Sequence, residues 1–152
     1  MSRKYGVIGY SAVGTNCTVL NLSSATTIRP KIYDVIVGCA ATPGDGASRF
    51  QLVRTTAVGS GGSTANIVAL DPGDPVSLAS AKQNYAGSNE PTYTSNTELA
   101  GFSVNQRNTF RWVAAPGGEL VLPATAANGI GLKSLSAAGT TAQHEATFFF
   151  EE

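Results

Sequence analysis

Val104-Asn-Gln-Arg-Asn-Thr-Phe-Arg-Trp-Val-Ala-Ala-Pro-Gly-Gly-Glu-Leu-Val-Leu-Pro123 is the stretch whose reading decides the fold. Phe110, Trp112 and Ala114 alternate with Thr109, Arg111 and Val113, a period of two that belongs to a β-strand and not to a helix. Ala115-Pro-Gly-Gly118 then carries turn chemistry, because proline presets φ and glycine tolerates φ > 0. From Glu119 the alternation resumes, with Leu120 and Leu122 on one face. The stretch therefore predicts a β-hairpin, two strands joined by a tight turn. It also holds the single tryptophan of the chain beside Phe110. Aromatic side chains bury the most area per residue, so the hairpin is expected to anchor the core with Trp112 largely buried.

The same pattern extends in both directions. Strands are expected over Tyr5–Tyr10, Cys17–Leu22, Ile32–Cys39, Phe50–Thr56, Ala65–Leu70, Glu98–Val104, Gly129–Leu135 and Glu145–Glu151. Ile32–Cys39 is apolar on both faces, with Tyr33, Val35, Val37 and Cys39 on one and Ile32, Asp34 and Ile36 on the other, which predicts a central strand. The last strand places Ala146, Phe148 and Phe150 on one face and Phe149 on the other, so it is covered on both faces or meets a partner. Gly59-Ser-Gly-Gly-Ser63 reads as a flexible linker. Asp71–Gln83 is the one candidate helix, with Asp74 as cap and Pro75 in the first position. Asn84–Asn96 reads as a long loop covering a sheet edge. Nine or ten short strands with frequent turn signals predict an all-β domain, an antiparallel β-sandwich or barrel of jelly-roll-like type.

Length and charge bound the rest. The 152 residues are expected to form a single β domain, residues 1–152, with residues 1–4 as a flexible N-terminal arm. A chain of this size buries enough surface to need no staples. Ten basic and ten acidic residues give a formal charge of zero, and only 13% of residues are charged. Without a basic surplus, no nucleic-acid partner is expected. No apolar run approaches the roughly 18 residues of a spanning helix, so no membrane partner is expected. No long apolar run follows Met1-Ser-Arg-Lys4, so no signal peptide is expected. Cys17 and Cys39 are then read as buried thiols in preference to a disulfide. A near-neutral chain meets little repulsion on self-association, which suits a protein working inside an assembly.

The residues offer no catalytic set. His144 is the single histidine, and a Cys–His pair with Cys17 or Cys39 would need cysteines that lie within apolar strands. One histidine and two scattered cysteines lack the spacing of a zinc site. No glycine-rich stretch is followed by the lysine of a phosphate loop. Asp71 and Asp74 flank prolines and suit turn and cap duty better than calcium. No cofactor and no metal are expected. Arg29, Arg54, Arg107 and Arg111 read as rim charges at a protein interface. The candidate interface residues are Arg3 and Lys4 from the arm, Tyr93 from the long loop, Arg107, and Phe149 from the last strand.

Six stretches carry a family likeness: Arg29-Pro-Lys-Ile-Tyr-Asp34, Glu90-Pro-Thr-Tyr93, Asn105-Gln-Arg107, Thr109–Pro123, Asn128-Gly-Ile-Gly131 and Phe150-Glu-Glu152. From about Arg29 to the C-terminus the chain resembles the capsid decoration, or cement, proteins of tailed bacteriophages. The resemblance implies a jelly-roll-like β-sandwich or tulip. It implies a structural virion protein, not an enzyme, bound to the outside of an icosahedral shell. Its partner would be the major capsid protein, and its own state a homotrimer at three-fold or quasi-three-fold positions. Two other readings stand beside it. A carbohydrate-binding jelly roll of a phage fibre or lectin would use exposed aromatics, with Tyr85, Tyr93 and Asn89 as the residues to serve. An enzyme would need a residue set that the sequence does not show.

Overall fold

In the computed structural model, residues 2–12, 16–136 and 142–152 are described. The period-two alternation is realised in twelve strands: β1 (Lys4–Ser11), β2 (Cys17–Ser23), β3 (Lys31–Ala41), β4 (Ala47–Ala57), β5 (Ser63–Thr64), β6 (Ile67–Ala69), β7 (Ser80–Gln83), β8 (Thr92–Asn105), β9 (Phe110–Val113), β10 (Leu120–Val121), β11 (Gly129–Ser134) and β12 (Gln143–Glu151). The first sheet has the order β10-β3-β12-β1-β6, with β9 also on β3; the second has the order β5-β7-β2-β11-β4-β8. All the pairings are antiparallel. Tyr5, Val7, Val35, Phe148 and Phe150 from the first sheet meet Leu20, Leu22, Phe50, Leu52, Ile130 and Leu132 from the second in one core. The chain switches repeatedly between sheets, and each sheet keeps two open edges, so the fold is a jelly-roll-like antiparallel β-sandwich and not a closed barrel.

The central strand expectation holds for β3, but its faces are not those of a regular alternation. The register against β12 shifts between Phe149 and Phe150, so Phe149 opposes Asp34 while Phe150 opposes Ile32. Tyr33 is the extra residue of this bulge. A bulge resets which face each side chain takes, so Ile32 joins Val35 and Val37 in the core, and Tyr33 turns outward onto Phe149.

The stretch around Trp112 forms strands and a turn, but not a hairpin. β9 and β10 do not pair with each other. Both lie antiparallel along β3, Phe110–Val113 opposite Asp34–Val37 and Leu120–Val121 opposite Lys31–Ile32. The ladder is continued by Ala114 N–H donating to Tyr33 O at 2.9 Å and Leu122 N–H to Pro30 O at 2.8 Å. Ala115-Pro-Gly-Gly118 does close a turn, with Gly118 N–H bonded to Ala115 O at 2.8 Å, but the chain leaves and rejoins the same edge. β3 is long enough, at 11 residues, to template both segments. That arrangement aims Trp112 and Leu120 at one core, with Phe110 stacked on Phe102. Because β9 is an edge segment, Trp112 is partly buried and packs against the core from its margin, where it was expected to be largely buried within it.

No helix forms over Asp71–Gln83, and the described residues contain none. An isolated short helix is marginal without an apolar face to bury, and here Val76 and Leu78 remain 86% and 59% exposed. The segment instead makes a turn, Asp74 N–H to Asp71 O, and its end becomes β7, which pairs with β2 and places Ala81 in the core. Leu78 N–H and the Ser77 hydroxyl both donate to the Glu152 carboxylate, at 3.1 and 3.0 Å. The Gly59–Ser63 stretch is not a loose linker. Lys82 Nζ donates to Gly59 O and Gly61 O, and Gly61 N–H to Asn89 O. Gly59 has φ +75°, and a Cβ there would lie 2.4 Å from Asn89 O, so the close approach requires glycine.

Candidate interaction face

The two sheets differ in what covers their outer sides. On the second sheet, Thr18, Asn21, Thr55 and Gly131 face outward and are roofed by the chain from Asn84 to Tyr93. The Tyr93 hydroxyl lies 2.5 Å from Thr18 Oγ1, and Thr18 donates from both N–H and hydroxyl to the Glu90 carboxylate. Tyr85 donates to Val58 O at 2.6 Å and is 1% exposed. Thr55 donates to Asn21 Oδ1 at 3.1 Å. Burial raises the pKa of both tyrosines, so both stay neutral donors. Gly131 makes room for this roof: a Cβ there would meet the Tyr93 hydroxyl at 2.8 Å. The long loop thus covers a sheet face, where an edge was expected. Of the residues named for a glycan site, Tyr85 is inside and the Tyr93 hydroxyl is committed to Thr18; Asn89 alone is exposed.

Among the described residues, the outer side of the first sheet has no such roof. Along β1, Tyr5, Val7, Gly9 and Ser11 face the core, while Lys4, Gly6, Ile8 and Tyr10 face out. Along β12, Ala146, Phe148 and Phe150 face the core, while Glu145, Thr147, Phe149 and Glu151 face out. Phe149 is half-buried and stacks on Tyr33 with ring centres 6.5 Å apart. Around this pair Ile8, Val68, Leu70 and Val113 are each half or more exposed. A groove of about 460 Å³ opens here, bounded by Gly6, Ile8, Val68, Leu70, Thr147 and Phe149. Charge lies at the rim of the apolar middle. Lys31 pairs with Glu151 at 3.3 Å, and Arg111 holds nearly buried Asp34 with a closest approach of 2.5 Å. The hydrogen bond from Ser2, with Lys31 beside it, holds the Glu151 carboxyl below its ordinary pKa.

The five candidate interface residues therefore do not form one patch. Phe149 is at the centre of the open face. Lys4 is on the same face, its Nζ 5.6 Å from the Tyr33 ring centre. Arg3 is exposed at its margin, 4.0 Å from Asp74, and exchanges both backbone hydrogen bonds with Glu152, so that the chain already runs along β12 there. Tyr93 belongs to the roof of the other sheet, with Lys133 over its ring. Arg107 is exposed in the turn after β8. Of the four arginines read as rim charges, Arg111 pairs with Asp34 at the rim of this face, while Arg54 turns inward and donates to Val121 O at 3.0 Å, fastening β10. Ile8, Val68, Leu70 and Tyr33 were missed as site residues. The signal present for them was apolar character on both faces of a strand, which also describes a doubly covered strand.

Among the described residues, no cluster of three or more His, Cys, Asp or Glu is placed to hold a metal. Among the same residues, no helix is long and apolar enough to cross a membrane. Cys17 and Cys39 are thiols, and burial raises both their pKa values, away from the reactive thiolate. His144 is fully buried, its Nε2 2.8 Å from the Ser48 hydroxyl and its ring edge-on to Phe50. Compared with known proteins, the chain matches no family model, no curated protein and no solved structure.

Proposed function

We propose that this chain is a structural virion protein, a decoration protein that binds the outer surface of a tailed-bacteriophage capsid and stabilises it by bridging major capsid subunits. The observation that carries the reading is the open apolar face of the first sheet, centred on Phe149 and rimmed by charge, which has the anatomy of a protein contact surface. The stretches that carry the family likeness support a shared architecture, because they meet in space. Arg29–Asp34, Thr109–Pro123 and Phe150–Glu152 are neighbours in the first sheet, and Tyr93 lies on Gly131 in the second. Weak contacts repeated over a shell sum to firm attachment through avidity, so a modest face on each copy suffices. In this reading the protein is not an enzyme, acts on the capsid exterior, and passes through the host cytoplasm during assembly.

The test is cosedimentation with purified shells stripped of the protein. The wild-type chain is expected in the shell pellet, and Phe149→Asp is expected to stay largely in the supernatant while remaining folded. Absence of wild-type chain from the pellet at high micromolar concentration refutes the proposal.

A further inference from the structure

β8 is the long edge of the second sheet. The other edge segments are short: β5 and β10 have two residues, β6 three and β9 four, whereas β8 has 14. Shortness protects an edge from pairing with another chain. The first half of β8 is protected in a second way, because its register against β4 shifts repeatedly between Thr92 and Ala100. From Ala100 to Asn105 the ladder is regular, opposite Ala47–Leu52, and among the described residues no strand lies along its other side. This run, Ala-Gly-Phe-Ser-Val-Asn, holds no charge and no proline, the residues that usually blunt an edge. Two bonds fix which backbone groups face out. Gln106 N–H donates to Gly46 O at 2.9 Å, and on the far side of β4 Leu135 N–H donates to Arg49 O at 2.7 Å. In an antiparallel ladder the bonded pairs alternate. Ala100, Phe102 and Val104 therefore turn their backbone groups to β4, and Gly101, Ser103 and Asn105 turn theirs to the open edge. The latter three are exposed, while Phe102 stacks on both Phe50 and Phe110.

We propose that β8 pairs antiparallel with β8 of a second copy of the chain, across a two-fold axis at Ser103, so that the two second sheets join edge to edge. The run fits itself in this register. Ser103 meets its own copy and exchanges both backbone hydrogen bonds with it. Gly101 meets Asn105, and Asn105 N–H donates to Gly101 O at each end; Asn105 O is already held by Asn108 N–H. Phe102 falls opposite Val104, an aromatic and β-branched cross-strand pair of the kind that stabilises sheets. A centre at Phe102 or Val104 instead would draw in the register shift at Leu99 or the turn after Asn105. Charge fits the same pairing. Glu98 and Arg107 bracket the run, both exposed and, among the described residues, without an ion-pair partner. Antiparallel pairing sets the Glu98 end of each copy against the Arg107 end of the other, where Asp45 and Arg49 offset each other. The contact is isologous and closed, so it does not propagate into filaments. It is small for an interface, so the pair is concentration-dependent. The inference goes beyond shell binding and does not rest on it, since the outer face of the first sheet is untouched. The dyad stands perpendicular to the joined sheet, so the Phe149 faces of both copies point the same way and a pair presents two of them to one surface.

Sedimentation equilibrium of the chain alone, from low to high micromolar concentration, tests this without any shell. Wild type is expected to approach twice the chain mass. Ser103→Pro is expected to stay at the chain mass with an unchanged far-UV spectrum, because proline is tolerated where an edge N–H faces solvent and removes the donor at the dyad. Ser103→Lys, which keeps that N–H but sets two like charges opposite each other, is expected to weaken the pair at least tenfold. Ser103→Ala and Phe149→Asp are expected to dimerise as wild type does. Amide hydrogen exchange at Ser103 and Asn105 is expected to slow as the dimer forms. A monomer at the highest concentration, a trimer mass, a dimer indifferent to Ser103→Lys, a dimer lost in Phe149→Asp, or a dimer whose Ser103 amide exchanges as fast as in the monomer overturns the proposal. Shell cosedimentation is read separately. A dimer that ignores shells keeps this inference and defeats the virion role; a monomer that pellets with shells does the reverse.

Discussion

Acidification should unfold this protein earlier than its carboxylates require, through one residue. His144 is the only histidine, fully buried where β12 meets β3 and β1. Among the described residues, those around it carry no charge to welcome a proton: Ser11 opposite on β1, Cys39 opposite on β3, and Ser48 and Phe50 on β4. Among the described residues its Nδ1 has no hydrogen-bond partner. Burial alone pushes the pKa down from 6.5 to about 4. Above pH 6.5 both folded and unfolded chains hold a neutral ring, and the group has no effect. Below it the unfolded chain takes the proton first, so stability falls until the folded ring also titrates near pH 4. A gap of two to three pH units at about 1.4 kcal/mol per unit is worth about 3 kcal/mol, a large share of the total for a domain. Urea unfolding should therefore show wild type losing about 3 kcal/mol more between pH 7 and pH 4 than a His144→Phe, Ser48→Ala double variant. That variant removes the ring without stranding the Ser48 hydroxyl, and the carboxylate contributions, Glu151 included, cancel in the difference. Parallel stability curves, or an imidazole NMR titration of the folded protein with a midpoint near 6.5, would refute the reasoning.

Three further outcomes are expected. Trp112→Ala should cost about 2 kcal/mol in denaturant unfolding, below the 3–5 kcal/mol range of a fully buried aromatic, because the ring is only half-buried on an edge segment. Gly131→Ala should destabilise by about 1–3 kcal/mol by overpacking, since its Cβ would meet the Tyr93 hydroxyl at 2.8 Å. Adding Tyr93→Phe should recover part of that loss, and strict additivity of the two changes would contradict the contact. Thiol titration of the denatured, unreduced chain should find two thiols, Cys17 and Cys39; finding none at unchanged monomer mass would overturn the assignment.

The candidate site was legible only in part. Phe149 was marked by three consecutive phenylalanines, because one of them must leave the core whatever the sheet order. Its neighbours were not marked. Ile8 and Val68 come from strands far apart in sequence, and only the pairing of β1 with both β12 and β6 brings them beside it. Tyr93 and Arg107 carry the same outward signal as Phe149, yet Tyr93 finds a seat on Gly131 that no local pattern announces.

What the sequence by itself determined is local. Alternation of period two set nearly every strand and the all-β class, since a side chain's face depends on its immediate backbone alone. Turn chemistry likewise located Ala115–Gly118 correctly as a turn. The tertiary structure decided which partners those strands took. The turn suggested a hairpin, but β3 offered both flanking segments a longer ladder and a shared core, so they lie end to end. The Asp74–Pro75 signal suggested a helix, but pairing with β2 and the Glu152 carboxylate claimed the backbone and side-chain donors that follow it. The bulge at Tyr33 exchanged the faces of β3 because Ile32 and Val35 are both needed in the core. In each case a contact between distant residues outweighed a local preference worth at most about a kilocalorie per residue.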